Sequence, residues 1–469
     1  TGGGPAGLSA LGSGPVEVYG TLQTGVSAGF GVGSFFNAAA GQNTNPIVLR
    51  LGGVVIINDI QGATLAGNQG RWGDAVPVEL NGGTFRFYGA AGTQSSEAIG
   101  VVNASKAGTL TVGANATAGN ARLQLAGLTR PGPSSAGAAG WSTAAYAGAG
   151  SLYLNNGTAT MLGIPSSGQP TMWERITVAG GMATGGVTNN GLGVTAGGMV
   201  APWVVDVKNN TWVGYNPTAG VFGGVDTGFQ TIYPNNPVPT GPGVGQMFFS
   251  QYQASAGATV NLTSGMTSGS DIVNLVNTSA NTNSTFTMQD NPDVYALRLQ
   301  APAANNNFTM RLARSGVNDT VTIRSGGLML IGQASSSGTN TLWVDPNLIF
   351  GVGGSAEAAI FTTGTSGAGT LVNQITGNIT AAGLTKFGTG WLNLNGLNTI
   401  TAPITLNDGI LYLQNQMNGE GTATVGVTNG QPIILNGGQL NIDTTLGTST
   451  GANLADVAFR RTMVTLNSD

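Results

Sequence analysis

The chain has no cysteine and no histidine among its 469 residues. The first absence removes disulfides, thiolate nucleophiles and thiolate metal sites. The second removes Ser-His-Asp triads and imidazole-held metals, so no cofactor and no metal is expected. Charge is scarce as well: 7% of residues are charged, against roughly 25% in an ordinary soluble domain. The 15 Lys and Arg are scattered, net charge is −4, and without a basic stripe nucleic acid is not an expected partner. The longest purely apolar run, Val54 to Ile57, is far short of the ~20 residues of a spanning helix, so no transmembrane segment is expected. The opening TGGGPAGLSALGSGP has no basic region followed by an apolar core, and it reads as part of a mature or excised segment rather than a signal peptide.

What is present is glycine, at 79 positions, together with Ser, Thr and Asn and a hydrophobic fraction of 41%. That fraction is too high for a disordered chain. Apolar residues alternate with polar ones in short runs bounded by Gly, Asn or Asp, which is the strand period. Val16 and Val18, Leu110 and Val112, Leu152 and Leu154, and Leu328 and Leu330 are examples. One phrase returns almost intact, as PVELNGGTFRFYG at residues 77–89 and PIILNGGQLNID at residues 432–443. Its Asn-Gly corners, Asn81-Gly82 and Asn436-Gly437, suit hairpin turns of a sandwich or barrel. They also suit the corners of a parallel β-helix, where Gly and Asn tolerate positive φ and stacked Asn side chains form ladders. The β-helix accounts better for the missing charge, because equivalent residues would stack at about 4.8 Å and like charges would repel.

The expected fold is therefore all-β: a right-handed parallel β-helix, or β-solenoid, with loop excursions. Coils are expected over 1–128, 151–200 and 253–469. Residues 129–150, rich in Gly, Ala and Pro, read as a loop. Residues 201–252 read as an excursion, since their four closely spaced prolines exclude a continuous strand. This region holds nine of the chain's 31 aromatics, among them Trp203, Trp212, Tyr215, Phe222 and Tyr233. Two readings stand: a small core of its own, or a contact surface for a glycan or a neighbouring subunit.

The handedness and the exported setting come from a resemblance. Residues 383–413, GLTKFGTGWLNLNGLNTITAPITLNDGILYL, resemble the autotransporter passenger-associated repeat found in β-strand-repeat surface proteins of bacteria. The matching positions are Leu384, Lys386, Gly388, Gly390, Leu392, Leu394, Asn398, Thr399, Asn407, Gly409 and Leu411. The stretch departs from the pattern at Trp391, where a small residue is usual, at Ile400 and at Ala402-Pro403. The resemblance implies a right-handed β-helix located extracellularly or on the bacterial cell surface, and it implies no reaction. The membrane barrel that ends autotransporters is not visible in the last residues.

Chemistry is hard to find. A glycosidase needs two carboxylates some 5–10 Å apart, and the close acidic pair, Asp290 and Asp293, flanks Pro292 in a stretch that reads as a turn. Nonapeptide calcium repeats are absent. Arg298, Arg311 and Arg324 recur at intervals of 13 residues. They read either as a cationic line for an anionic glycan or as outward polar positions on successive faces. No enzymatic activity is expected. Three functions follow in order: a structural subunit that self-associates end to end into a homopolymeric fibre, a monomeric passenger-like adhesin, and a polysaccharide-degrading β-helix enzyme. The first rests on strand-like ends with few charges to block edge pairing.

Overall fold

The structure is a computed structural model that describes residues 16–24, 45–59, 72–90, 94–114, 120–130, 149–157, 162–163, 173–179, 199–216, 228–232, 250–254, 259–263, 267–278, 283–301, 308–316, 319–332, 340–364, 371–396, 398–414, 433–443 and 464–466. Among these residues the chain is all-β, with one 3-10 turn at Val352–Gly354. It divides into two compact units. The first spans Thr1–Tyr233 with Pro237–Met247, and the second Phe248–Ser468 with Pro234–Asn236. Each has its own hydrophobic core.

In unit 1 successive strands are dealt to two sheets. Val16–Val18, Ile47–Leu49, Val78–Leu80, Gln94–Ala104, Asn120–Thr129 and Trp173–Val178 lie side by side in a six-stranded sheet, every pairing parallel. The intervening strands Thr21–Thr24, Val54–Asn58, Thr84–Gly89, Ala107–Ala114 and Ser151–Asn156 stack in parallel in an eight-stranded sheet. The period-2 pattern gives each strand one apolar side, and that side is buried: Val55 and Ile57 stack on Phe85 and Phe87, then on Leu110 and Val112, and Leu154 continues the column of Phe85 and Leu110. The tight connections between sheets stack as well. Arg50 N donates to Val18 O (3.0 Å), Asn81 N to Leu49 O (2.8 Å) and Thr84 N to Gly53 O (2.8 Å).

The parallel order ends at Val204–Asp206, which pairs in parallel with Ser151–Asn156 on one side. On its other side lies Thr211–Asn216 in antiparallel pairing, followed by Gly228–Thr231, again antiparallel. A hairpin thus closes this edge of the sheet.

Unit 2 repeats the dealing of strands, and among its described residues there is no such reversal. Its twelve-stranded sheet includes Ile272–Asn277, Asp293–Gln300, Thr320–Ile331, Glu357–Thr363, Gly383–Phe387, Ile404–Leu406 and Ile433–Leu435. Its eight-stranded sheet orders Thr259–Leu262, Ser284–Met288, Thr309–Arg314, Asn340–Val344, Leu371–Ile375, Trp391–Leu394, Ile410–Gln414 and Gln439–Asp443. All described pairings of this unit are parallel. From Thr320 onward a third run of short strands, Asn347–Phe350, Ile379–Ala381 and Thr399–Ile400, stacks on the first half of Thr320–Ile331. The repeated Leu-Asn-Gly-Gly phrase does one job in both units, turning the chain from the end of one sheet's strand into the next sheet: Val78–Leu80 to Thr84–Gly89, and Ile433–Leu435 to Gln439–Asp443.

The twelve-stranded sheet departs from simple alternation. Leu275, Leu299, Leu330 and Ile360 line the core, and the residues between them are buried too. Asn274, Arg298, Met329, Phe361 and Phe387 form one register-matched column in which none is more than 1% exposed. Along this column both faces of the sheet are therefore buried.

Candidate binding surface

Three of the five aromatics singled out in residues 201–252 are described, and they are core. Trp203 is 5% exposed, and Trp212 and Tyr215 are fully buried, as is Phe229; Phe222 and Tyr233 lie outside the described residues. The contact-surface reading of Trp203, Trp212 and Tyr215 is corrected on physical grounds, because rings without accessible faces cannot stack on a ligand. They fill the closing hairpin. Tyr215 meets Phe229 edge to face at 5.2 Å, a favourable arrangement for ring quadrupoles. The Arg130 guanidinium lies 4.9 Å over the Trp203 ring. The Tyr215 hydroxyl accepts from Val178 N (3.1 Å) and lies 3.3 Å from Val178 O, to which it donates. Val178 belongs to Trp173–Val178, the last strand of the six-stranded sheet, so a side chain bonds a backbone edge that would otherwise be open.

Asp206 organises the same hairpin. Its carboxylate accepts from Lys208 N (3.0 Å), Asn209 N (3.1 Å), Asn209 Nδ2 (2.8 Å) and Thr231 Oγ1 (2.6 Å). Thr231 Oγ1 also accepts from Leu162 N at 2.9 Å. Burial pushes the Asp206 carboxyl above the usual range, and these donors pull it back. Asn210 takes a positive φ of 50° in the turn, a conformation Asn tolerates well.

The corner residues sit where the sequence puts them, for two different reasons. Gly82, Gly388 and Gly409 adopt positive φ. Gly390 and Gly437 do not, and they are glycine because a Cβ would approach Thr363 O at 2.5 Å and Asn407 O at 2.6 Å. In the second phrase the left-handed residue is Gly438 rather than Gly437. Asn436 Nδ2 donates to Asn407 Oδ1 at 2.8 Å, one rung of an asparagine ladder. Asn81 is buried at its corner, where its N–H joins the stacked turns.

Lys386 was legible only as a motif letter. It is fully buried on the core side of its strand, between Ile360 and Leu406 in register. Its Nζ donates to Gly388 O (2.5 Å) and Asp408 O (2.8 Å), tying two successive turns together. Burial lowers its pKa to about 7, opposed by the nearby Asp408 charge.

The three arginines form no line. Arg298 is buried in the dry column, donating from Nη1 to Asn274 Oδ1 (2.9 Å) and Gln300 Oε1 (2.5 Å), with its pKa lowered by burial to about 9. Arg311 belongs to the other sheet, where it pairs with Asp345 at 2.5 Å. Arg324 pairs with Asp293 at 2.5 Å. Spacing along the chain does not report on which sheet a strand joins. Asp319 is bonded by Gly316 N and Ser315, which hold its carboxyl below the usual range. Asp290 and Asn291 both have positive φ, so the acidic pair frames a turn, and Asp293 is committed to Arg324. Among the described residues no group of three acids is placed to hold a metal, and no helix is long and apolar enough to cross a membrane.

The outer side of unit 2's eight-stranded sheet is the accessible face built from the most regular rungs. Register places Arg311, Trp343, Gln374, Asn393, Tyr412 and Asn441 in one column. Trp391 stands beside Asn393, two residues earlier on the same side of its strand. Trp343, Gln374, Trp391, Asn393, Tyr412 and Asn441 are all half-buried.

Comparison with known proteins gives one partial match. Over 124 residues, 25% of this chain, the sequence is 30% identical to the adhesin BmaC autotransporter of Brucella suis biovar 1 (strain 1330). The chain spans about 4% of that protein's length. No protein-family profile matches, and no solved structure matches. The match supports an autotransporter-related, surface-passenger character in coarse terms.

Proposed function

We propose that the chain is a passenger-type segment of an extracellular bacterial surface adhesin, in which each unit is a right-handed parallel β-helix that presents outward columns of side chains. The observation that carries this reading is the partial identity to the Brucella adhesin autotransporter. The stacked parallel strands and the repeat at residues 383–413 support it. A β-helix suits the role because each coil is stabilised chiefly by its neighbours, so a long, uniform surface is assembled from local contacts. In this reading the protein acts by binding; the close acidic pair that could suggest hydrolysis frames a turn, with Asp293 held by Arg324. Beads coated with the purified chain should attach to bacterial or host cell surfaces well above albumin-coated beads. Attachment no greater than the albumin control would sink the reading.

The fibre reading draws on a different observation. Val16–Val18 and Val464–Leu466 are the outermost strands of their sheets among the described residues, and an outermost strand offers backbone groups for pairing. Electron microscopy across a concentration series should show filaments if such ends pair, and isolated particles at every concentration if they do not.

A further inference from the structure

The repeat at residues 383–413 departs from its pattern at Trp391, and folding does not account for that tryptophan. The core contacts of its strand come from Leu392 and Leu394, both in the hydrophobic core of unit 2. Trp391 faces the other way and remains half-exposed. It shares the face with Trp343 and Tyr412. Gln374, Asn393 and Asn441 stand in the column between and beyond them.

We propose that this outer face of unit 2's eight-stranded sheet binds an uncharged, extended polysaccharide running along the stacking direction. The proposal deepens the adhesin reading and rests on it. Three features select this ligand. The strands Leu371–Ile375, Trp391–Leu394 and Ile410–Gln414 contain no charged residue, so nothing on these rungs attracts an anionic chain. Pyranose rings offer an apolar C–H face and a rim of hydroxyls, and aromatic side chains with a polar edge match the first. The primary amides of Gln374 and Asn441, each both donor and acceptor, match the second. Finally, Trp343 and Trp391 are two rungs apart; at about 4.8 Å per rung they are separated by roughly 10 Å along the stack, the order of a disaccharide's length. The Arg311–Asp345 pair, with its guanidinium 5.1 Å over the Trp343 ring, marks the end of the uncharged stretch. A second copy of this chain would also cover aromatic residues, but amides next to the rings in register, Gln374 beside Trp343 and Asn441 beside Tyr412, fit hydroxyl-bearing repeats better than a protein surface.

The test is affinity electrophoresis of the full chain in native gels containing hydroxyethylcellulose, galactomannan, dextran or polygalacturonate, beside Trp391→Ala and Tyr412→Ala variants. Circular dichroism of each variant checks that the fold is kept. At least one neutral polysaccharide should retard the chain, polygalacturonate should not, and each substitution should weaken retardation by about tenfold. Retardation by none of the neutral polymers, retardation by polygalacturonate alone, or retardation unchanged in both variants would overturn the proposal. So would concentration-dependent dimerisation by light scattering that Trp391→Ala abolishes, which would make this a face for a second copy. The bead assay separates the two levels: attachment that survives Trp391→Ala leaves the adhesin reading standing while this site falls, whereas absent attachment removes the adhesin reading itself.

Discussion

The closing hairpin of unit 1 and the regular rungs of unit 2 solve one problem in opposite ways. A stack of parallel strands leaves an open edge at its last member. In unit 1 the chain reverses at Asp206–Thr211, pairs antiparallel and covers the edge with Trp212, Tyr215 and Phe229. In unit 2 every described pairing stays parallel, and cohesion comes from repetition: the same Leu and Ile side chains inward, and turns joined by Lys386 or by Asn436 and Asn407. A repeating interior needs few residue types, whereas a terminus needs particular ones. That is why aromatic side chains and a buried carboxylate concentrate at the hairpin.

The sharpest way to break this contrast is Trp212→Ala. Removing a fully buried indole should lower the stability of unit 1 by about 3–5 kcal/mol. If the units unfold separately, two transitions will appear in a urea titration and only one will move; a shift of both would show that the hairpin is not local to its unit.

Next in size is a pH effect confined to unit 2. Lys386 has a folded pKa of about 7 against 10.5 when unfolded. Between those values the unfolded chain binds the extra proton, so unit 2 should gain stability as pH rises from 7 toward 10, by about 1 kcal/mol per pH unit. Below pH 7 both states are protonated and this contribution is flat. Lys386→Met should abolish the slope, and a slope unchanged in that variant would refute the assignment.

Smallest is Tyr215→Phe, which keeps the ring and removes only the hydroxyl that bonds Val178. A loss of about 1 kcal/mol in unit 1 is expected, with faster amide exchange at Val178. Unchanged exchange there would mean the hydroxyl does not protect the edge.

The sequence made strands and corners legible and left their partners hidden. Leu392 and Leu394 could be placed inward by alternation, and Asn-Gly marked the turns, because both signals are local. Arg298 could not be placed. Alternation shows that it lies opposite Leu297 and Leu299, but not that the opposite face of its sheet is also buried. The hairpin of unit 1 carried a readable signal in Asp206-Val207-Lys208-Asn209-Asn210, a turn-forming run between two apolar strands. The aromatic cluster beside it left a core and a contact surface both open, and the burial of Trp203, Trp212 and Tyr215 decides for the core. For the face around Trp391, the clue was a residue that breaks its own repeat.

The central claim, that unit 2 is a stack of parallel rungs in the stated register, can be tested directly because the chain has no cysteine of its own. Thr285→Cys and Asn441→Cys place two spin labels in one outer column, six register steps apart. Pulsed electron paramagnetic resonance should give a narrow distance near 29 Å, from about 4.8 Å per step, and moving the second label to Asn393 should shorten it by roughly 10 Å. A broad distribution, or a distance that fails to shorten with that move, would contradict the stacked parallel fold.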